Sequence, residues 1–239
     1  MDVVVCVKRV VDTETKVRVA ADGKSLDPAG VQHVMAPYDE MALEKALRLR
    51  DAAGGGTVSV VTLGPPEASK ELRTALAMGA DRAVHLVASA TGDALSTAQA
   101  LAEAVKALPH DLVLCGKQAT DDDDAAVGPM LAALLGVPCV AFVVALDVAG
   151  KVATAKREVD GEAEVLEVDL PAVFTAQKGL AEARLPGLKG IMAAKKKPLE
   201  EKATTPPPSK TSVRALTLPP PRAACRKFPP TAEGVRALL

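Results

Sequence analysis

Aromatic side chains are nearly missing from this chain of 239 residues: there is no Trp, one Tyr (Tyr38), and three Phe (Phe142, Phe174 and Phe228). An aliphatic core follows, and extended aromatic platforms for stacking bases or flavin rings are not expected. Cysteine is equally sparse. Cys6, Cys115, Cys139 and Cys225 stand far apart without a CxxC pair or a His-rich neighbourhood, so zinc and iron-sulfur ligand spacing is lacking. Three of them fall in apolar, strand-like runs, where buried reduced thiols are expected. Net charge is also wanting: 29 basic against 30 acidic residues leave -1, which offers no overall attraction for nucleic acid or an anionic membrane. No apolar stretch reaches the roughly 20 residues of a membrane span, and MDVVVCVKRV has none of the parts of a secretory signal. A cytoplasmic location without direct membrane insertion is the expectation. Walker A, GxGxxG and GxSxG motifs are lacking as well, and His33, His85 and His110 have no evident nucleophile partner. Neither a catalytic constellation nor a metal site is expected.

What the chain does contain is rhythm. Val-rich runs at residues 3–7, 58–63, 83–87 and 112–115 are short enough for strands buried on both faces. Between them, residues 39–52, 67–78 and 93–108 repeat apolar side chains at helical steps; Leu95, Ala98, Leu101, Ala102 and Val105 share one face. Such alternation predicts right-handed βαβ crossovers and an α/β fold. The sheet should be doubly wound and mostly parallel, Rossmann-like or adenine-nucleotide-hydrolase-like. After Gly136 the pattern changes, and residues 137–148, 151–158, 164–168 and 172–176 read as an antiparallel β extension, with turns at Gly150 and Asp160-Gly161. From Pro198 onward lie half of the 18 prolines. A segment of that composition cannot build its own core. Its apolar anchors at 213–218 and 231–239, the latter a short-helix pattern, suit an extended arm laid on a partner. The expected organisation is residues 1–197 as a nucleotide-binding domain and 198–239 as that arm.

In wound sheets, ligands bind beyond the carboxyl ends of the strands, where helix N-termini point inward. Three loops qualify. They follow Val7 (Lys8, Arg9), Leu63 (Gly64, Pro65, Pro66) and Cys115 (Gly116, Lys117, Gln118, Ala119, Thr120). The third leads into Asp121, Asp122, Asp123 and Asp124, where a helix is expected to begin and its free N–H groups to meet a phosphate. Four carboxylates would repel that phosphate unless they point away, one of them capping the helix. Read alone, the run is equally a solvated helix start. The basic run at 195–197 reads as a favourable charge cluster at the end of a helix over 191–194.

Five blocks, VKRVVDTETKVRV, ALAMGADRAVHL, GKQATDDDDAAVGP, KREVDGEAEVLEVDLPAVFTA and GLKGIMAAKKKP, resemble the electron-transfer flavoprotein beta subunit in order and spacing. Together they run from the first residues to about Pro198. The resemblance implies a carrier rather than an enzyme, one half of a heterodimer whose alpha subunit holds the redox FAD while the beta subunit holds a structural AMP. Carried over by position, AMP contacts fall on Cys6, on Ala36, Pro37, Tyr38 and Asp39, on Leu63, and on Gly116 to Asp124 with Ala125, Ala126 and Val127. Many relatives have Asn at the position of Ala36, and mitochondrial-type members have Asn-Gln-Thr where this chain has Ala125-Ala126-Val127, so main-chain N–H groups would replace side-chain contacts. Electron-bifurcating relatives hold a second FAD in the AMP position, which stays the alternative.

The same resemblance implies a recognition loop over residues 183–192, with Leu188 as the anchor entering a client dehydrogenase and Arg184, Leu185, Ile191 and Met192 around it. Gly187 and Gly190 favour a mobile loop, whereas the plainer expectation for Leu188 is a core residue opening a helix. Implied partners are the alpha subunit, dehydrogenases such as those of acyl-CoA, and a quinone oxidoreductase.

Overall fold

In the computed structural model, which describes residues 1–89, 92–222 and 224–239, the Val-rich runs are strands and the helical periodicities are helices. The chain order is β1 (Val3–Cys6), β2 (Arg9–Val11), β3 (His33–Met35), α1 (Pro37–Ala52), β4 (Val58–Gly64), α2 (Ser69–Met78) and β5 (Arg82–Val87). It continues through α3 (Ala94–Lys106), β6 (Leu112–Gly116), α4 (Val127–Leu135), β7 (Cys139–Ala149), β8 (Val152–Val159) and β9 (Glu162–Asp169). The last elements are β10 (Ala172–Ala176), α5 (Leu188–Ala194), β11 (Leu199–Ala203) and α6 (Ala232–Leu238). Two compact units result, one of residues 1–15 with 30–212, the other of residues 16–29 with 213–239.

Local chemistry explains the helix limits. Pro37 occupies the first turn of α1, where its missing N–H costs nothing, with Asp39 and Glu40 beside it to complement the dipole. The Asp93 carboxylate caps α3 by accepting the Ser96 N–H at 2.9 Å. Gly136 closes α4 in the left-handed conformation.

The sheet of the first unit runs β11-β5-β4-β1-β6-β10-β7-β8-β9. From β1 the chain steps outward to β4 and β5, then crosses to β6 on the other side. Strand order therefore reverses between β1 and β6, where a crevice must open at the carboxyl ends. Buried residues of α1 and α2 cover one face of the sheet, while those of α3 and α4 cover the other.

Several expectations need correction. Residues 172–176 form a central strand, parallel to both β6 and β7, rather than part of an antiparallel extension. Every side chain in it is buried, a pattern only a strand covered on both faces can satisfy. The antiparallel meander is confined to β7, β8 and β9, and its turns are Gly150 and Asp160-Gly161, all with positive φ. Residues 199–203, expected as the start of the arm, extend the sheet as an edge strand parallel to β5. Beyond Ala203 the chain stays in the same unit up to Ser212: Asp93 accepts the N–H groups of Lys210 and Thr211 at 2.6 and 2.9 Å. Cys6 and Cys115 are buried, whereas Cys139, at the start of β7, is exposed with Cys225.

In the second unit, Val19 bridges Leu26, the Leu216 N–H donates to the Gly23 carbonyl at 2.8 Å, and Thr231 caps the short α6. No helix among the described residues is long and apolar enough to cross a membrane.

Candidate functional site

The loops after β1 and β6 are joined by one side chain. Asp39, in the first turn of α1, accepts the Lys8 N–H on Oδ2 at 2.7 Å and the Gly116 N–H on Oδ1 at 2.8 Å. Ala36, the residue before α1, donates its N–H to the Lys8 carbonyl at 2.9 Å. Cys6, Ala36 and Asp39 are buried beneath these turns, with Leu63 buried at the end of β4. Thr62 ties that strand to the first loop by donating its hydroxyl to the Val7 carbonyl at 2.7 Å. Cys6, Ala36, Asp39, Leu63 and Gly116 therefore converge on the carboxyl ends of the central strands.

Burial pushes the Asp39 carboxyl up to about 7, against the lowering effect of the two N–H donors. A group whose folded value lies above its unfolded one takes up a proton on folding between about pH 4 and 7. Its contribution to stability therefore falls as pH rises through that window. Asp39→Asn should remove this slope and cost about 1–3 kcal/mol at low pH, because the amide nitrogen must face one of the N–H groups. Urea unfolding of both proteins from pH 5 to 8 measures it, and parallel stability curves would refute it.

Beyond Gly116 the chain takes a turn the sequence pattern did not reveal. No helix starts within Asp121 to Asp124; α4 begins at Val127 without a side-chain cap, after Asp123 and Ala125 adopt positive φ. Left-handed residues break the helical ladder. Ala125, at φ 51°, is followed by the right-handed Ala126, an alternation that lets successive N–H groups converge into an anion-binding concavity. Among the described residues, the N–H groups of Gln118, Ala119, Thr120, Asp121 and Asp122 have no protein acceptor, and the buried Thr120 hydroxyl is likewise unpartnered. Buried polar groups normally have a partner, so the Thr120 hydroxyl points to a bound group, while the N–H groups beside it, on half-buried or exposed residues, are open to the same group.

The acidic run is partly compensated from within. Lys8 Nζ lies 2.7 Å from both Asp121 Oδ1 and Asp122 Oδ2, and Asp123 accepts the Gln118 amide at 2.5 Å. Burial alone would lower the Lys8 ammonium, but those carboxylates outweigh it and hold it above its ordinary value. Lys117 turns away, its ammonium 4.9 Å from the Tyr38 ring centre and 5.8 Å from that of Phe142. Phe142 has φ 60° within β7 and donates its N–H to Thr175 Oγ1 at 2.9 Å. Neither Phe142 nor the charge role of Lys8 was apparent from sequence, since both depend on elements remote along the chain. A cleft of about 570 Å³ between α3 and β11 includes none of these loops, and we place the site at the strand ends, where the unpartnered donors are.

The residues expected to dock a partner form a separate patch. Leu185, Leu188, Ile191 and Met192 are all exposed, Leu188 by 75%. Leu188 opens α5 but is no core residue, and of the expected loop, residues 188–192 lie in that helix, packed on α2, while 183–187 lead into it without regular secondary structure. Arg184 points back to Glu44 on α1.

Comparison with known proteins shows the family. The model of the electron transfer flavoprotein domain matches residues 25–207. The chain belongs to the electron transfer flavoprotein beta-subunit family. It is 42% identical to the beta subunit of Syntrophomonas wolfei over 94% of this chain and 88% of that protein. With the Bacillus subtilis beta subunit it shares 45% identity over 84% of this chain and 78% of the relative. The mitochondrial beta subunit of Arabidopsis thaliana is 43% identical over 84% and 81%.

Proposed function

We propose that this chain pairs with an alpha subunit to form a cytoplasmic electron-carrier heterodimer in which it holds AMP, helps to shape the alpha subunit's FAD site and docks dehydrogenases. The observation that carries the reading is the buried, unpartnered Thr120 hydroxyl within a run of residues, Gln118 to Asp122, whose N–H groups have no protein acceptor, in the loop that Asp39 joins to the one after β1. A phosphate supplies the acceptors these donors need. AMP is a structural ligand here; the redox chemistry belongs to the FAD. This chain's own residues orient the turn: Asp39 fixes the two loops, and Lys8 engages the carboxylates of Asp121 and Asp122. Electrons from acyl-CoA or similar dehydrogenases pass through the FAD to a membrane quinone oxidoreductase. The tail beyond Ser212, with exposed Val213 and Leu218, is assigned to the alpha subunit's surface.

Mass analysis of ligands released from the purified heterodimer should find one FAD and one AMP. Two FAD and no AMP would instead establish a bifurcating subunit. Leu188→Ala should lower the efficiency of reduction by the dehydrogenase about ten- to hundredfold with flavin content unchanged, since one buried Leu contributes roughly 1.5–3 kcal/mol. Equal efficiencies in variant and parent would remove Leu188 as anchor.

A further inference from the structure

We propose that Glu44 is the positioning residue of the docking patch: from within α1 it locks the segment before Leu185 so that Leu185 and Leu188 are presented in one orientation. The inference rests on the docking role proposed above and adds how the patch is held.

The Glu44 side chain is only 3% exposed, a depth at which an ionised carboxylate is costly unless it is matched. It is matched by two arginines whose other contacts lead to the same segment. Arg184 donates from Nε to Oε2 at 2.6 Å and from Nη2 to Oε1 at 3.1 Å, using both arms of the guanidinium fork. The Arg184 N–H approaches Oε2 at 3.4 Å. Arg48, one helical turn along α1, donates from Nε to Oε1 at 2.7 Å and from Nη2 to the Glu182 carbonyl at 3.2 Å. Burial raises the Glu44 carboxyl, yet the guanidiniums prevail and hold it below the usual carboxylate range, so it stays charged near neutrality.

The other end of the patch is tied independently. Arg73 Nη1 donates to the carbonyls of Ala194 and Lys197 at 2.7 and 3.0 Å, and Lys197 Nζ reaches the Ala80 carbonyl at 2.6 Å. Gly190 lies so close to α2 that a Cβ would stand 2.3 Å from the Ala77 carbonyl oxygen. Between these ties α5 has seven residues and no side-chain cap, too short to persist alone. An apolar patch that must enter a partner's pocket repeatedly loses affinity if it is ordered only on contact. Glu44 removes that cost at the leading end, where Leu185 and Leu188 project.

The test uses the flavin-loaded heterodimer, reduced by an acyl-CoA dehydrogenase, with KM for the heterodimer and kcat read separately. Glu44→Gln should raise KM five- to twentyfold with kcat changed less than twofold. Arg184→Gln should do the same, Arg184→Lys should recover part of the loss, and the double variant should be no worse than either single one. If Glu44→Gln does not assemble, Arg184→Gln, altered at a side chain 41% exposed, gives the same comparison. Unchanged KM in these variants while Leu188→Ala raises it would overturn the positioning role and leave docking standing. Unchanged KM in Leu188→Ala as well would overturn both. A fall in kcat that tracks a fall in melting temperature would reduce Glu44 to a fold-stabilising residue and also overturn the proposal.

Discussion

Gly116→Ala is expected to empty the proposed nucleotide site and destabilise the protein by roughly 2–4 kcal/mol, combining overpacking with the loss of the hydrogen bond to Asp39. A Cβ at this position would stand 2.4 Å from Asp39 Oδ1, 2.8 Å from Tyr38 Cβ and 3.0 Å from the Asp39 nitrogen. None of these can retreat cheaply. Asp39 is held by two main-chain donors and Tyr38 by the first turn of α1, so relief requires moving the helix off the sheet. The consequence reaches function, because the same turn opens the run of free N–H groups from Gln118. Gly187→Ala is the fitting control, since a Cβ there meets nothing within 4 Å and the backbone is not left-handed. Urea midpoints and AMP content per heterodimer report both effects. A Gly116→Ala protein with full AMP and an unshifted midpoint would show that α1 yields easily, against the rigidity assigned to the junction.

Arg9→Met should cost about 3–5 kcal/mol, the usual penalty for removing one partner of a buried ion pair. Arg9 Nη1 and Glu71 Oε1 are 2.5 Å apart, with side chains 15% and 8% exposed. The second Glu71 oxygen is already buried without a partner, so the variant would leave the whole carboxylate uncompensated. Replacing both members, Arg9→Met with Glu71→Leu, should recover most of the loss, since the penalty comes from the stranded charge and not from missing attraction. Denaturant unfolding of the three proteins decides it. A double variant as unstable as Arg9→Met would mean that the pair contributes packing geometry that Met and Leu cannot supply.

How much of the fold and site is legible in the sequence depends on the range over which each feature is determined. The runs at 3–7, 58–63, 83–87 and 112–115 became β1, β4, β5 and β6 because an unbroken β-branched stretch between helical patterns has few other stable environments. The strand at 172–176 is legible, but its direction is not. Its neighbours are β6 and β7, and pairing partners leave no mark on a five-residue apolar run. The edge strand at 199–203 reads as tail because LEEKA is mostly polar; an edge strand beside β5 tolerates such a sequence with its outer side in water. For the site, the three strand-end loops followed from topology alone, whereas the role of Asp39 did not, since its two donors are 31 and 77 residues away.

The sequence by itself determined the alternation of strands and helices, the aliphatic core, the loops at the carboxyl ends and, through its five blocks, the family. These depend on local periodicity and on residue order, which a linear chain records directly. Tertiary structure alone decided that Lys8 pairs with Asp121 and Asp122, that α4 starts only at Val127, and that Glu44 grips Arg184. Each of those is a pairing of charges or a backbone turn that exists only once folding brings residues remote in sequence together.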